Sequence, residues 1–211
     1  MDAFGRHWVD CRHVNEATRR HNKLRDTAFS MYSSGIGESV TKEPYGLLPA
    51  TPDVRPGDLV AGPTVHGTSK AQAYDFVATD PTSKSALSRA GALEPLNQAK
   101  WAEKEKIRLH DIQVREAGET ADSMGYVKVP LAFETTGAMG PGTKKWWDTQ
   151  VMPLYKRKFL GPPPSLSAQD KEHTWAANSF AAFWLQRFAM EQAKHVASTV
   201  WRAQLESGTL G

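Results

Sequence analysis

Two aspartates, Asp58 and Asp75, stand in short runs of strand-forming residues within RPGDLVAGPTVHGTSKAQAYDFVATD (55–80), on either side of a Gly/Thr/Ser/Lys turn. The pattern reads as a β-hairpin with one acid on each arm. Strands disfavour Asp, and burying its charge is costly unless a counter-charge or a cation meets it, so the pair suggests a divalent-metal site. The same spacing also fits aspartates that end their strands as turn residues. Two carboxylates on neighbouring strands repel, and one of them is expected to have a raised pKa when no cation is present.

The elements that must position these acids can be read on both sides of the hairpin. NEATRRHNKLRDTAFSMYSS (15–34) predicts a helix, with Leu24, Ala28, Met31 and Tyr32 on one side and Gly35 and Gly37 as the stop. ESVTKEPY (38–45) predicts an edge strand, followed by a proline-rich connector. A long helix is expected over 96–117, with Trp101, Ile107 and Val114 as its apolar side and lysines and arginines over the rest. YVKVPLAFET (126–135) is the most strand-like run; its apolar character predicts burial on both faces, and Pro130 places it at a bulge or near a sheet edge. Strands joined through a long helix require a crossover, so part of the sheet is expected to be parallel. A helix is predicted over 143–158 and another over 168–206, the latter with Trp175, Phe180, Phe183, Trp184, Phe188, Val196 and Trp201 as a packing seam rather than a stacking platform for bases.

A length of 211 residues fits one domain with appendages, and no apolar run approaches membrane-spanning length. The first residues, MDAFGRHWVDCRH, lack the apolar core of a signal peptide, so a soluble intracellular protein is expected. The single cysteine, Cys11, excludes an internal disulfide framework. A net charge of +3 is compatible with a nucleic-acid partner and equally with an enzyme or a scaffold.

The helix-strand-hairpin-helix-strand order, αβββαβ, resembles the core of the restriction-endonuclease-like nucleases, whose signature is PD followed by (D/E)xK. Here Pro56-Gly57-Asp58 stands for the first part, with a Gly inserted, and Asp75-Phe76-Val77 for the second, with Val77 in place of the lysine. RRHNKLRD (19–26), EPYGLLP (43–49), the RPxD of 55–58, DFVAT (75–79) and VPLAFETTGAMG (129–140) together resemble the C-terminal endonuclease region of non-LTR retrotransposon polyproteins. In that group the lysine has moved to the following helix in a KxxxY or KxxKY pattern. Lys106 is the nearest match, with His110 in the aromatic position, and Lys104 is the second candidate because the register is ambiguous.

The resemblance implies an α/β fold with a mixed central sheet and C-terminal helices, divided into an endonuclease-like core over 15–140 and a helical extension over 141–211. It implies a DNA-nicking hydrolase that uses Mg²⁺ or Mn²⁺, with Asp58 and Asp75 as metal ligands, Glu43 as a further carboxylate, and Lys106 at the water or the scissile phosphate. DNA phosphates would be held by Arg19, Arg20, Lys23, Arg25, Lys100 and Lys104. His7 and Cys11 resemble half of the family's zinc knuckle, giving residues 1–14 the look of a remnant; structural zinc takes four ligands, so Zn²⁺ is not expected here. An upstream reverse transcriptase domain as partner, a nuclear location, and a fragment or degenerate copy of a mobile element follow from the same resemblance. Two other readings compete: an inactive DNA-binding or assembly domain of the same fold, and an unrelated globular domain whose aspartates cap turns.

Overall fold

The computed structural model describes residues 16–46, 55–89, 93–120, 123–158 and 179–206. The expectations at 1–14, in most of the proline-rich connector and over 168–178, including Trp175, lie outside these residues. In chain order the elements are α1 (Glu16–Ser30), β1 (Val40–Lys42), β2 (Leu59–Ala61), α2 (Pro63–His66), β3 (Ala71–Thr79), α3 (Lys84–Leu87), α4 (Asn97–Glu116), β4 (Tyr126–Glu134), α5 (Pro141–Trp146), α6 (Met152–Lys158) and α7 (Phe180–Glu206). Wider π-helical turns, Met31–Ile36 and Trp147–Val151, extend α1 and join α5 to α6.

The strands form one mixed sheet in the order β1-β2-β3-β4, the first three antiparallel and β4 parallel to β3. The fold is therefore mixed α/β, and α4 is the crossover that the parallel pair requires. β1 keeps only three residues because the chain turns at Glu43, whose φ is 45°. The two arms of the hairpin are joined by α2 as well as by a turn, since Pro63 starts a helical turn before Gly67.

Alternation along β3 and β4 sorts side chains onto two faces. Leu59, Ala61, Tyr74, Phe76, Leu131 and Phe133 join the main core with Leu24, Ala28 and Tyr32 of the α1 region, Trp146, Trp147 and Leu154 of the following helices, and Phe183, Trp184 and Phe188 of α7. The helices after Gly140 thus share a core with the sheet. Each fully buried large apolar side chain of this kind contributes about 1.5–3 kcal/mol. At its centre Trp146 Nε1 donates to the Tyr32 hydroxyl at 3.2 Å, and Tyr32 donates to the Tyr74 hydroxyl at 3.1 Å. The opposite face is thinner: Val60, Ala73, Val77, Tyr126 and Ala132 pack against Ala99, Ala102 and Val114 of α4 and against Met124.

Of the expected apolar side of α4, only Val114 is buried. Trp101 is 40 % and Ile107 37 % exposed, whereas Ala99, Ala102, Glu103, His110 and Val114 are buried at three- and four-residue spacing, with Lys106 half-buried in the same stripe. A small-residue, polar stripe faces the sheet because polar partners wait there. Burial and the Asp80 charge push the Glu134 carboxyl up, opposed by a hydrogen bond from the Ala99 N–H in the first turn of α4. Glu103 in turn accepts from Gly142 N (2.9 Å), Thr143 N (3.0 Å) and Thr143 Oγ1 (3.1 Å), satisfying the open end of α5. A Cβ at Gly140 would sit 2.4 Å from Glu103 Oε1, which explains a residue without one in that place.

The β4 expectation holds in part. Residues 131–134 are buried, but Val127 is 45 % exposed and β4 is a sheet edge, the position in which Pro130 is tolerated. In α7, Phe180, Phe183, Trp184 and Phe188 are core as expected, while Trp201 is 57 % exposed.

Glu103→Ala removes three hydrogen bonds from the α5 terminus and is expected to destabilise by about 1–3 kcal/mol in urea denaturation. Gly140→Ala is expected to destabilise in the wild type and markedly less in the Glu103→Ala background, because the shortened side chain clears the clash.

Candidate functional site

Asp58 and Asp75 reach one place by different routes. Asp75 lies in the middle of β3, whereas Asp58 lies one residue before β2, so each of the two readings of the hairpin holds for one aspartate. Continuing the β2–β3 register by one residue sets Asp58 beside Asp75. Gly57 makes this approach feasible: a Cβ there would stand 2.7 Å from the Tyr74 carbonyl, the same oxygen that accepts from Asp58 N at 2.7 Å. The Gly inserted between Pro56 and Asp58 is therefore a backbone-clearance residue.

The Asp75 carboxylate is buried between two lysines. Lys106 of α4 lies 2.7 Å from Oδ1 and Lys128 of β4 lies 2.6 Å from Oδ2. Burial alone would raise this carboxyl, but Lys128 and Lys106 outweigh it and hold Asp75 below the usual carboxylate value. Asp75 thus departs from the expectation of a pKa raised by carboxylate repulsion, because Lys128 joins Lys106 beside it. The two lysines differ in depth. Lys128 is 9 % exposed and also donates to the Pro56 carbonyl at 2.9 Å, tying the approach to Asp58 onto the sheet. Lys106 is 31 % exposed and is the more accessible of the two.

Asp58 is held by His21 of α1. Its Oδ1 is 3.0 Å from His21 Nε2, and its Oδ2 accepts from Phe76 N at 2.7 Å. His21 Nδ1 meets the Phe76 carbonyl at 2.9 Å. Both ring nitrogens thus face oxygen acceptors, an arrangement that favours the protonated ring. Burial works against that charge, but the hydrogen bond and charge of Asp58 prevail and the pKa is raised. Lys106 and Asp75 also act on His21, so the four side chains form one electrostatic cluster. On the far side of Asp75, buried His110 contacts the Tyr126 hydroxyl at 3.2 Å, and burial followed by the Lys128 charge lowers its pKa.

Of the two lysine candidates, Lys106 contacts Asp75, whereas Lys104 is exposed on another side of α4. The Glu43 carboxylate is engaged by Arg25 and by Arg55, the latter at 2.7 Å, so Glu43 enters the site through its N–H, which donates to the Asp58 carbonyl at 2.9 Å. Arg19, Lys23, Lys100 and Lys104 are exposed, Arg20 is 5 % exposed, and Arg25 is tied to Asp26 and Glu43. Lys128 and His21 were given no role by the sequence reading. A signal for Lys128 existed: a lysine inside a run read as buried on both faces demands a buried anion. His21 gave none beyond its place in the RRHNKLRD segment.

Among the described residues, no group of three or more His, Cys, Asp or Glu side chains could hold a metal ion. The donor set is two hard carboxylates, which fits Mg²⁺, an ion commonly bound through one or two carboxylates with water and substrate phosphate completing its shell. No helix among the described residues is long and apolar enough to cross a membrane. No protein-family model, curated protein or solved structure matches this chain.

Asp75→Asn leaves the Lys128 ammonium buried without its carboxylate and is expected to cost about 3–5 kcal/mol; adding Lys128→Met should recover most of that loss in equilibrium denaturation. His21, whose folded pKa is raised, stabilises the fold fully below the ordinary value of 6.5, and that contribution is lost as pH rises through the folded-state value. Stability of the wild type should therefore decline above pH 6.5 by a component that His21→Gln lacks, read as the difference between the two stability–pH curves.

Proposed function

We propose that the chain is a DNA-nicking endonuclease domain with a restriction-endonuclease-like core, similar to the C-terminal endonuclease region of non-LTR retrotransposon polyproteins. The observation that carries this reading is the cluster of Asp58, Asp75 and Lys106 on an αβββαβ frame with a mixed sheet, in which the helix lysine takes the place left by Val77. A nuclear location and an upstream reverse transcriptase domain as partner belong to the same proposal.

In this reading Asp58 and Asp75 would hold a Mg²⁺ or Mn²⁺ ion, which when bound supplies an activated water and offsets phosphate charge. The chain's own groups do the rest. Lys106, the more accessible lysine, swings from Asp75 to a phosphate oxygen and stabilises the charge that grows there. Lys128 stays in place, because its depth and its bond to Pro56 keep it on Asp75 and prevent the carboxylate from turning away when Lys106 leaves. His21 fixes the Asp58 rotamer through Oδ1, and the Phe76 N–H fixes the other oxygen.

One observation favours a second reading, an inactive DNA-binding or assembly domain of the same fold. Lys106, Lys128 and, when protonated, His21 set three cations against two carboxylates, and each carboxylate oxygen already has a protein donor. Such a cluster attracts phosphate without any metal.

Conversion of supercoiled plasmid to open circles with Mg²⁺ or Mn²⁺ separates the two. The nuclease reading expects nicking by the wild type and a loss of about 100-fold or more in Asp58→Asn and in Lys106→Ala. Mg²⁺ should raise the melting temperature of the wild type and of Lys106→Ala, but not of Asp58→Asn. A folded wild type that binds DNA and never nicks it with either metal overturns the nuclease reading in favour of the second. Full metal-dependent stabilisation of Asp58→Asn removes the hairpin as the metal site.

A further inference from the structure

A second basic feature lies outside the cluster of carboxylates and lysines. α1 and the C-terminal half of α7 enclose a groove of about 360 Å³, lined by Arg19, Asn22 and Lys23 on one wall and Lys194, His195 and Arg202 on the other, with Asp26, Glu191 and Ser198 completing it. Four permanent cations thus meet two carboxylates. Asp26 pairs outside the groove with Arg25 at 3.1 Å and Lys42 at 3.2 Å, while Glu191 lies 3.7 Å from Lys194 inside it.

The helical period places this groove relative to the candidate site. Residues 19, 22, 23 and 26 follow one side of α1, whereas His21 and Arg25, which meet Asp58 and Glu43, lie more than a quarter-turn away across the exposed crest. A helix with its side chains is about 10–12 Å across, so the two features are separated by little more than one helix diameter, well within one turn of duplex DNA.

We propose that the α1–α7 groove is a phosphate rail for the DNA backbone, in which Lys194 and Arg202 of α7 act with Arg19 and Lys23 of α1 to hold the duplex whose other contact is the Asp58–Asp75–Lys106 cluster. This rests on the proposed function and moves the DNA surface away from Arg20 and Arg25, which burial and ion pairing occupy. α7 then has two separate tasks: its first half, Phe180 to Phe188, is core, and its second half faces the nucleic acid. The cations stand on opposing walls, the arrangement that suits a linear polyanion.

The test measures binding of a short fluorescein-labelled duplex by anisotropy in EDTA, over a range of salt, so that it reads contact with DNA independently of cleavage. Lys194→Glu/Arg202→Glu should weaken binding by about tenfold or more at low salt and lower the slope of log K against log[salt] by about 2. The milder Lys194→Gln/Arg202→Gln should show the same slope change with a smaller loss, which guards against a folding defect in the charge reversal. Lys84→Glu/Lys145→Glu, with an equal change in net charge on α3 and α5, should leave the slope close to wild type. Unchanged affinity and slope in both α7 variants overturns the rail while leaving the nuclease reading to its plasmid assay. Equal losses in the α7 and control variants also overturn it, since net charge alone would explain them. A wild type that binds no duplex at any salt overturns the rail and DNA as the partner together.

Discussion

A carboxylate buried inside a β-strand must be matched by cations, and Asp75 sets that condition for the whole α4 side of the sheet. Lys128 comes from the neighbouring parallel strand and Lys106 from the helix that crosses between the two strands. One charge therefore makes demands on all three parts of the β3–α4–β4 crossover. Removing a partner from such a buried set is far more damaging than the net worth of the pair, which gives the crossover a single preferred register.

Register along α4 is also fixed from its two flanks by acids. Glu134, at the end of β4, receives the Ala99 N–H in the first turn of α4, and Glu103, one turn further along, receives the first N–H groups of α5. The helix can slide or rotate only by breaking both sets of bonds. Lys106 lies one turn beyond Glu103 in the same stripe, so the bonds that anchor the helix also direct Lys106 toward Asp75. Positioning of the candidate catalytic lysine is thus a product of capping chemistry as well as of its own ion pair.

Much of this arrangement could be read from residue order. The hairpin, the α4 crossover with its parallel strand, and the C-terminal aromatic helix follow from periodicity and from strand-forming runs; Asp58 and Asp75 stand out by residue type, and Lys106 only through the resemblance. What escaped is polar chemistry at buried positions. Periodicity assigned the inner side of α4 to Trp101 and Ile107, because hydropathy cannot anticipate that Glu103, Lys106 and His110 will find partners inside. The same blindness hid Lys128 in an apolar strand and His21 in a basic run, and it led to an expected repulsion at Asp75 that two lysines cancel. Net charge on a helix likewise did not tell exposed arginine from buried arginine, as Arg20 shows.

The placement of Pro130 has a consequence for how this protein behaves among copies of itself. β4 is an outer strand, and an outer strand offers its unpaired main-chain groups to any other chain that arrives extended. Along its outer side, residues 132–134 are already occupied by the returning segment, through the Phe133–Met139 bridge and the bonds of Glu134 N to Ala138 O and Gly140 N to Ala132 O. Pro130 lacks an N–H and so interrupts the remainder, leaving only a few residues that could accept a new neighbour. β1 at the opposite boundary has three residues. Among the described residues, both edges of the sheet thus leave few main-chain groups for a further strand to pair with.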